Sequence, residues 1–173
     1  MPLIVEGRVW KFGDNINTDL MMPGFAVKIR PDMKDEEAAK YVMYSNRPGW
    51  VERVQPGDII VGGRNFGCGS SRVVAKPLKA LGIQCVLAES LARIFFRNSI
   101  NSGLPVMTAP GIKEFCMEGD IIRADITTGK IENLTTGKTM QTDPLPEDSP
   151  PLRILMAGGL NALLEKEFLH LDR

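Results

Sequence analysis

DIIVGGRNFGCGSSRVVAKPLKALG, residues 58–82, is the stretch from which the rest of the chain is read. An apolar run follows Asp58, glycines break it at Gly62, Gly63, Gly67 and Gly69, and a periodic apolar pattern then runs to Gly82. This predicts a strand, a tight loop and a helix. Glycines permit positive φ and leave the backbone bare, while Ser70 stands where a helix N-cap is expected. The expectation is a loop with unpaired N–H groups facing outward, at a helix start carrying roughly +0.5 of an elementary charge. Ser70, Ser71 and Arg72 then describe a pocket for a small anion, most simply a carboxylate, with the Arg72 guanidinium adding a fork of donors. The plainer alternative is a strand-to-helix turn whose serine caps the helix and whose arginine faces water.

Two phosphate-binding patterns and one nucleophile motif do not match. A Walker loop requires Gly-Lys-Ser/Thr and the lysine is missing; a dinucleotide fingerprint requires a third glycine where Arg72 stands. The nucleophile elbow G-x-S-x-G is absent as well.

The 173 residues suit a single domain, 1–173, with one sizeable core. Lysines plus arginines and aspartates plus glutamates balance at 21 each, with no basic run, so neither a nucleic acid nor a membrane surface has electrostatic support as a partner. The N-terminal apolar patch is interrupted by Glu6, Arg8 and Lys11 and reads as neither signal peptide nor spanning helix; a cytoplasmic location is the default expectation. Cys68, Cys85 and Cys116 are odd in number and widely spaced, suggesting neither a disulfide framework nor a metal cage. Cys85 reads as core, and Cys68 as a small space-filling residue or a reactive thiol. His170, the single histidine, is placed in a terminal helix.

Along the chain, residues 3–12 alternate as a strand and Gly13-Asp14-Asn15 turns it. Asp14, Asn15, Asn17, Thr18 and Asp19 form a polar cluster that reads either as an Asx-type turn or as a second wall of the pocket. Residues 24–36 are expected as a mobile loop, and 36–44 as a helix with an acidic start. A buried strand at 83–90, a helix at 91–100 with Arg93 and Arg97 four apart, and a short strand at 104–109 follow. The two arginines either reach an anion or are solvated. PGDII at 56–60 is echoed by EGDII at 118–122, each marking a turn that feeds a strand. Thr-Thr-Gly-Lys occurs twice, eight residues apart, in a β-meander with turns at Gly129 and Gly137. A proline-rich connector leads to a last helix over 151–169, with Gly158-Gly159 as a weak point or a place of close packing. Alternating strands and helices followed by an antiparallel run imply a mixed α/β domain.

Three segments together resemble the small subunit of 3-isopropylmalate dehydratase, a relative of the swivelling C-terminal domain of aconitase: GDNINTD at 13–19, NFGCGSSR at 65–72 and AESLARIFFRNSINSGLPV at 88–106. The AGGL segment at 157–160 adds to them, so the resemblance spans nearly the whole chain. It implies an α/β fold, a swivelling β/β/α domain of the aconitase C-terminal type, that caps a 4Fe-4S cluster held by a separate large subunit; no cofactor is bound by this chain. The implied activity is that of a hydro-lyase isomerising 2-isopropylmalate and 3-isopropylmalate by dehydration and rehydration in leucine biosynthesis. Its substrate is a hydroxy di- or tricarboxylic acid. By match to the motifs, Ser70 is the base, Ser71 and Arg72 hold carboxylates, and Asp19 belongs to the same site. A serine hydroxyl acts as a base only where its alkoxide is stabilised, which backbone amides at a helix start and an adjacent guanidinium would do.

Two positions depart from the family pattern. Val73 and Val74 follow Arg72 where the better-known pattern continues with Glu, and Phe25-Ala26-Val27-Lys28 replaces a frequent Tyr-Leu. Lys28 favours a third carboxylate, as in homoaconitate, and its apolar neighbours favour an isopropyl group. The alternatives are therefore a homoaconitase or other hydroxy-acid dehydratase small subunit, and a non-catalytic domain that binds a carboxylate or a partner.

Overall fold

A computed structural model of the chain describes residues 2–29, 33–69 and 73–168, with the backbone alone described for 27–29. The alternating segment near the N-terminus forms β1, Ile4–Lys11, which sits in the middle of a seven-stranded sheet. The run after Asp58 forms β2, Ile59–Gly62; the next two apolar runs form β3, Cys85–Ala88, and β4, Val106–Thr108. The meander supplies β5, Ile121–Asp125, β6, Lys130–Asn133, and β7, Lys138–Gln141, with Gly129 and Gly137 at positive φ in its turns. The order across the sheet is β4-β3-β2-β1-β5-β6-β7.

β1 joins two kinds of pairing. Its C-terminal half runs parallel to β2, with Val9 opposite Ile59 and Lys11 opposite Val61, whereas its N-terminal half runs antiparallel to β5, with Ile4 opposite Asp125 and Arg8 opposite Ile121. On the parallel side, helices α4, Ala75–Leu81, and α5, Arg93–Asn101, are the crossovers between successive strands.

Both faces of the parallel strands are covered, so β2 and β3 are apolar without interruption. Ile60, Val86 and Ala88 point into a cluster with Trp10, Trp50, Leu78 and Phe95. Ile59, Val61, Cys85 and Leu87 point the other way, towards Ile112, Ile122, Ala124 and Ile131. The period of two along each strand thus divides one sheet between two cores.

The repeated PGDII and EGDII segments fold alike. Asp58 and Asp120 each close a turn by donating N–H to the carbonyl three residues back (Gln55, 3.0 Å; Met117, 3.2 Å) and accepting that residue's N–H on the carboxylate at 2.9 Å. Gly57 and Gly119 take φ of 97° and 92° to allow it.

Several expected elements are changed. The segment expected as a loop over 24–36 contains α2, Gly24–Ile29, after the short α1, Thr18–Met21. The helix expected over 36–44 is α3, Asp35–Ala38, followed by one 3₁₀ turn, Ala39–Tyr41, because the chain then bends to bury Val42 and Met43. After α6, Ile112–Phe115, and the meander, the C-terminal segment is two helices, α7, Pro150–Ala157, and α8, Leu160–Phe168, separated by Gly158 and Gly159 at positive φ. Both readings of that glycine pair are seen: it interrupts the helix, and a Cβ on Gly159 would stand 3.0 Å from the carbonyl oxygen of Asn101. His170 lies outside the described residues. Among the described residues no helix is long and apolar enough to cross a membrane.

Candidate active site at the carboxyl ends of the parallel strands

The loops after β1, β2 and β3 leave the sheet at the same end, the end where open α/β sheets bind ligands. They are tied together one amide at a time. Gly63 donates its N–H to the carbonyl of Gly13 at 3.0 Å, Arg64 to Asp14 Oδ1 at 2.8 Å, Asn65 to Ser90 Oγ at 2.8 Å, Phe66 to the Ser90 carbonyl at 3.0 Å and Gly67 to the Ile16 carbonyl at 2.7 Å. Single parallel bridges, Asn17 with Cys68 and Phe66 with Leu91, lie past the strand ends, each shifted by one residue from the register of its strand pair. Asn15 and Asn65 both take left-handed φ, 54° and 55°, and their side-chain amides meet at 3.2 Å. The Phe66 side chain, fully buried, anchors the loop in the core, a burial worth about 2–3 kcal/mol.

For residues 63–67 this arrangement corrects the expectation of outward, unpaired amides. The N–H groups of residues 63–67 are consumed in holding neighbouring loops and are not available to an anion. The expected helix start is corrected too. The helix begins at Ala75, with Val74 as an N-cap that makes no side-chain bond, five residues beyond Ser70. Pro77 supplies the reason: it lacks an N–H and fits only the first turn, and a helix begun at Ser70 would place it in the interior. Val74, 1% exposed, pins the chain to the core just before that turn. Ser70, Ser71 and Arg72 themselves lie outside the described residues, so no helix-dipole argument attaches to them.

The polar cluster after β1 serves as turn and wall together. Asn17 Oδ1 accepts the Leu20 N–H at 2.8 Å and caps α1, the Asx-type bond expected. Thr18 donates its N–H to the Cys68 carbonyl at 2.9 Å, and a Cβ on Gly69 would stand 3.4 Å from Asn17 Cβ. The chain therefore enters residue 70 from contact with Asn17 and Thr18, next to Asp19, which is exposed in the first turn of α1. Lys28 lies in α2, with its side chain outside the described atoms. Arg93 and Arg97 are exposed on α5, as the solvated reading has it. Val73 is half-exposed at the rim.

Further residues hold the site without having been singled out as site residues. Asp14 Oδ1 also accepts Lys113 Nζ at 3.0 Å, and the Arg64 amide followed by the Lys113 ammonium holds this carboxyl below its ordinary value of 3.8. Glu89, just past β3, accepts the N–H groups of Gly111 at 2.8 Å and Lys113 at 2.9 Å, capping α6. Asp14 and Ser90 lie inside the quoted motifs, whereas Lys113 carries no local signal.

The described residues do not fit an iron-sulfur cluster. No three His, Cys, Asp or Glu side chains among them converge as metal ligands; Cys85 and Cys116 are buried in the core and only Cys68 lies on a site loop.

Residues 14–111, more than half of the chain, match the aconitase C-terminal domain family. The chain is 50% identical over 169 residues to the isopropylmalate/citramalate isomerase small subunit of Methanocaldococcus jannaschii, covering 96% of this chain and 97% of that one. It is 46% identical over 161 residues to the methanogen homoaconitase small subunit of Methanothermobacter thermautotrophicus, covering 92% and 90%. A crystal structure of 3-isopropylmalate dehydratase from Methanocaldococcus jannaschii superposes with a TM-score of 0.89 at 36% identity over 98% of both chains. A mixed sheet with this strand order, the site loops at its parallel end and these relatives agree, and the chain belongs to the aconitase C-terminal domain family.

Proposed function

We propose that this chain is the small subunit of a hydro-lyase of the isopropylmalate dehydratase type, isomerising 2-isopropylmalate and 3-isopropylmalate by loss and return of water. The observation that carries the reading is the pair of bonds joining the two motif loops, Gly67 N–H to Ile16 and Thr18 N–H to Cys68. They bring the segment ending at Asp19 against the segment entering Ser70. Relatives named as small subunits of this enzyme, matched over nearly their full length, support it.

In this reading Ser70 takes the proton from the carbon next to a substrate carboxylate, and Ser71 and Arg72 hold the carboxylates. Asp19 completes the wall. Arg72, two residues on, is the positive charge available to favour the alkoxide form of Ser70. In this reading a 4Fe-4S cluster would be held by the large subunit and would supply Lewis acidity towards a substrate hydroxyl. A cytoplasmic site of action fits a soluble biosynthetic complex.

Lys28 and the homoaconitase relative favour a second reading, in which the substrate carries a third carboxylate. The complex reconstituted with its large subunit, assayed anaerobically against isopropylmalate, homocitrate and citrate in parallel, separates the two. Ser70→Ala is expected to abolish turnover while assembly persists. Near-normal rates in that variant remove Ser70 as the base.

A further inference from the structure

We infer that Asp14 is a positioning residue for the loop that leads into Ser70. Its effect on turnover rests on the function proposed above; its effect on the loop does not.

Asp14 stands in the turn after β1 and joins three elements through one oxygen. Oδ1 accepts the Arg64 N–H at 2.8 Å and the Lys113 ammonium at 3.0 Å. The approach depends on a bare backbone, since a Cβ on Gly63 would stand 1.9 Å from that oxygen. Lys113 is itself placed by Glu89, whose carboxylate takes the Gly111 and Lys113 amides at the end of β3. The contacts thus run from β3 through Glu89, α6 and Lys113 to Asp14, and from there to the loop after β2.

Among the amides of residues 63–67, Arg64 is the one held by a charged side chain; the others bond to backbone carbonyls or to the Ser90 hydroxyl. Charge-assisted bonds are the stronger kind, and this one sits six residues before Ser70. Asp14 and Lys113 are partly exposed, with side chains 41% and 33% accessible, so their pairing adds little to overall stability. Displacing a reacting group by about 1 Å costs on the order of 10²-fold in rate. Placement of the loop and stability of the fold are therefore separable at this residue.

The test compares wild type, Asp14→Ala, Asp14→Asn and Ser70→Ala as full-length chains, alone for hydrogen exchange and with the large subunit for kinetics. Asp14→Ala is expected to speed exchange in peptides covering 63–69 while peptides from β5 to β7 keep the wild-type rate, and to lower kcat about tenfold or more with KM changed less than about threefold. Asp14→Asn keeps an oxygen for the Arg64 amide and is expected to restore most of the lost protection and rate. Unchanged exchange over 63–69 in Asp14→Ala overturns the inference whatever the activity, as does faster exchange spread evenly over the chain. An active Ser70→Ala overturns the proposed function instead, and leaves the exchange result for Asp14 to be decided by itself.

Discussion

Gly67 lies against the ring of Phe95 so closely that a Cβ at residue 67 would stand 2.2 Å from Phe95 Cγ, and its φ is +79°. The glycine in the middle of the motif is therefore required twice, by backbone conformation and by space. Phe95 in turn stacks edge to face on Phe66 at 5.5 Å between centroids, so the same ring supports the loop from below. A Cβ at 67 would push on this ring, which is itself part of the core.

Gly67→Ala is expected to destabilise the fold by about 2–5 kcal/mol, summing a left-handed backbone penalty of about 1–2 and overpacking of about 1–3. Urea denaturation of the purified chain measures it. Phe95→Leu in the same chain should recover part of the loss; strictly additive losses would show that the two side chains do not compete for one space.

Asp58 Oδ2 accepts the Trp10 indole N–H at 2.6 Å, the Arg8 guanidinium at 2.7 Å and the Gln55 amide at 2.9 Å, all around a carboxylate that is 3% exposed. Burial raises its pKa, and the bonds from Arg8, Gln55 and Trp10 together outweigh burial, so the folded carboxyl lies below the ordinary 3.8. A depressed folded pKa stabilises the fold above the unfolded value and ceases to do so as pH falls through the folded one. Asp58→Asn is expected to cost about 1–3 kcal/mol at pH 7, since an amide NH₂ would face donors, and the gap from wild type should close as pH is lowered from about 5 to below 3. Denaturation midpoints across that range check it; a gap that stays constant would assign the loss to packing alone.

The three thiols should differ sharply in reactivity. Cys68 is partly exposed on the site loop, whereas Cys85 is buried in β3 and burial pushes its thiol well up; burial likewise raises Cys116 to about 11. A chromogenic thiol reagent at pH 8 is expected to modify one residue, Cys68, in the folded chain and all three in denaturant. Fast labelling of two or three thiols without denaturant would contradict the burial of β3 and α6.

Substrate choice should respond to Lys28. If an ammonium at this position favours a third carboxylate, Lys28→Ala in the assembled enzyme should lower kcat/KM for homoaconitate relative to isopropylmalate by about tenfold, about 1.4 kcal/mol. A ratio unchanged within twofold removes Lys28 from the specificity argument.

Much of the architecture was legible from local patterning. Uninterrupted apolar runs mark strands buried on both faces, Thr-Thr-Gly-Lys marks the meander, and Pro-Gly-Asp and Glu-Gly-Asp mark matching turns, because each depends on residues within a few positions of one another. The motif at 65–72 announced a site loop for the same reason. What it misled about was the helix: Ala75, where it starts, is five positions beyond Ser70, and the signal against an early start was Pro77, whose missing N–H bears on the helix only once its first turn is fixed.

Residue types and their spacing determined, by themselves, the class of fold, the position of the loop and the family to which the chain belongs. Only the tertiary structure decided that the amides of residues 63–67 serve neighbouring loops, that Asp14 meets Lys113 ninety-nine positions away, and that one aromatic ring bears on Gly67. Those facts depend on which strands lie side by side, and pairing between distant segments is set by how the whole chain buries two faces of one sheet, a property no single segment encodes.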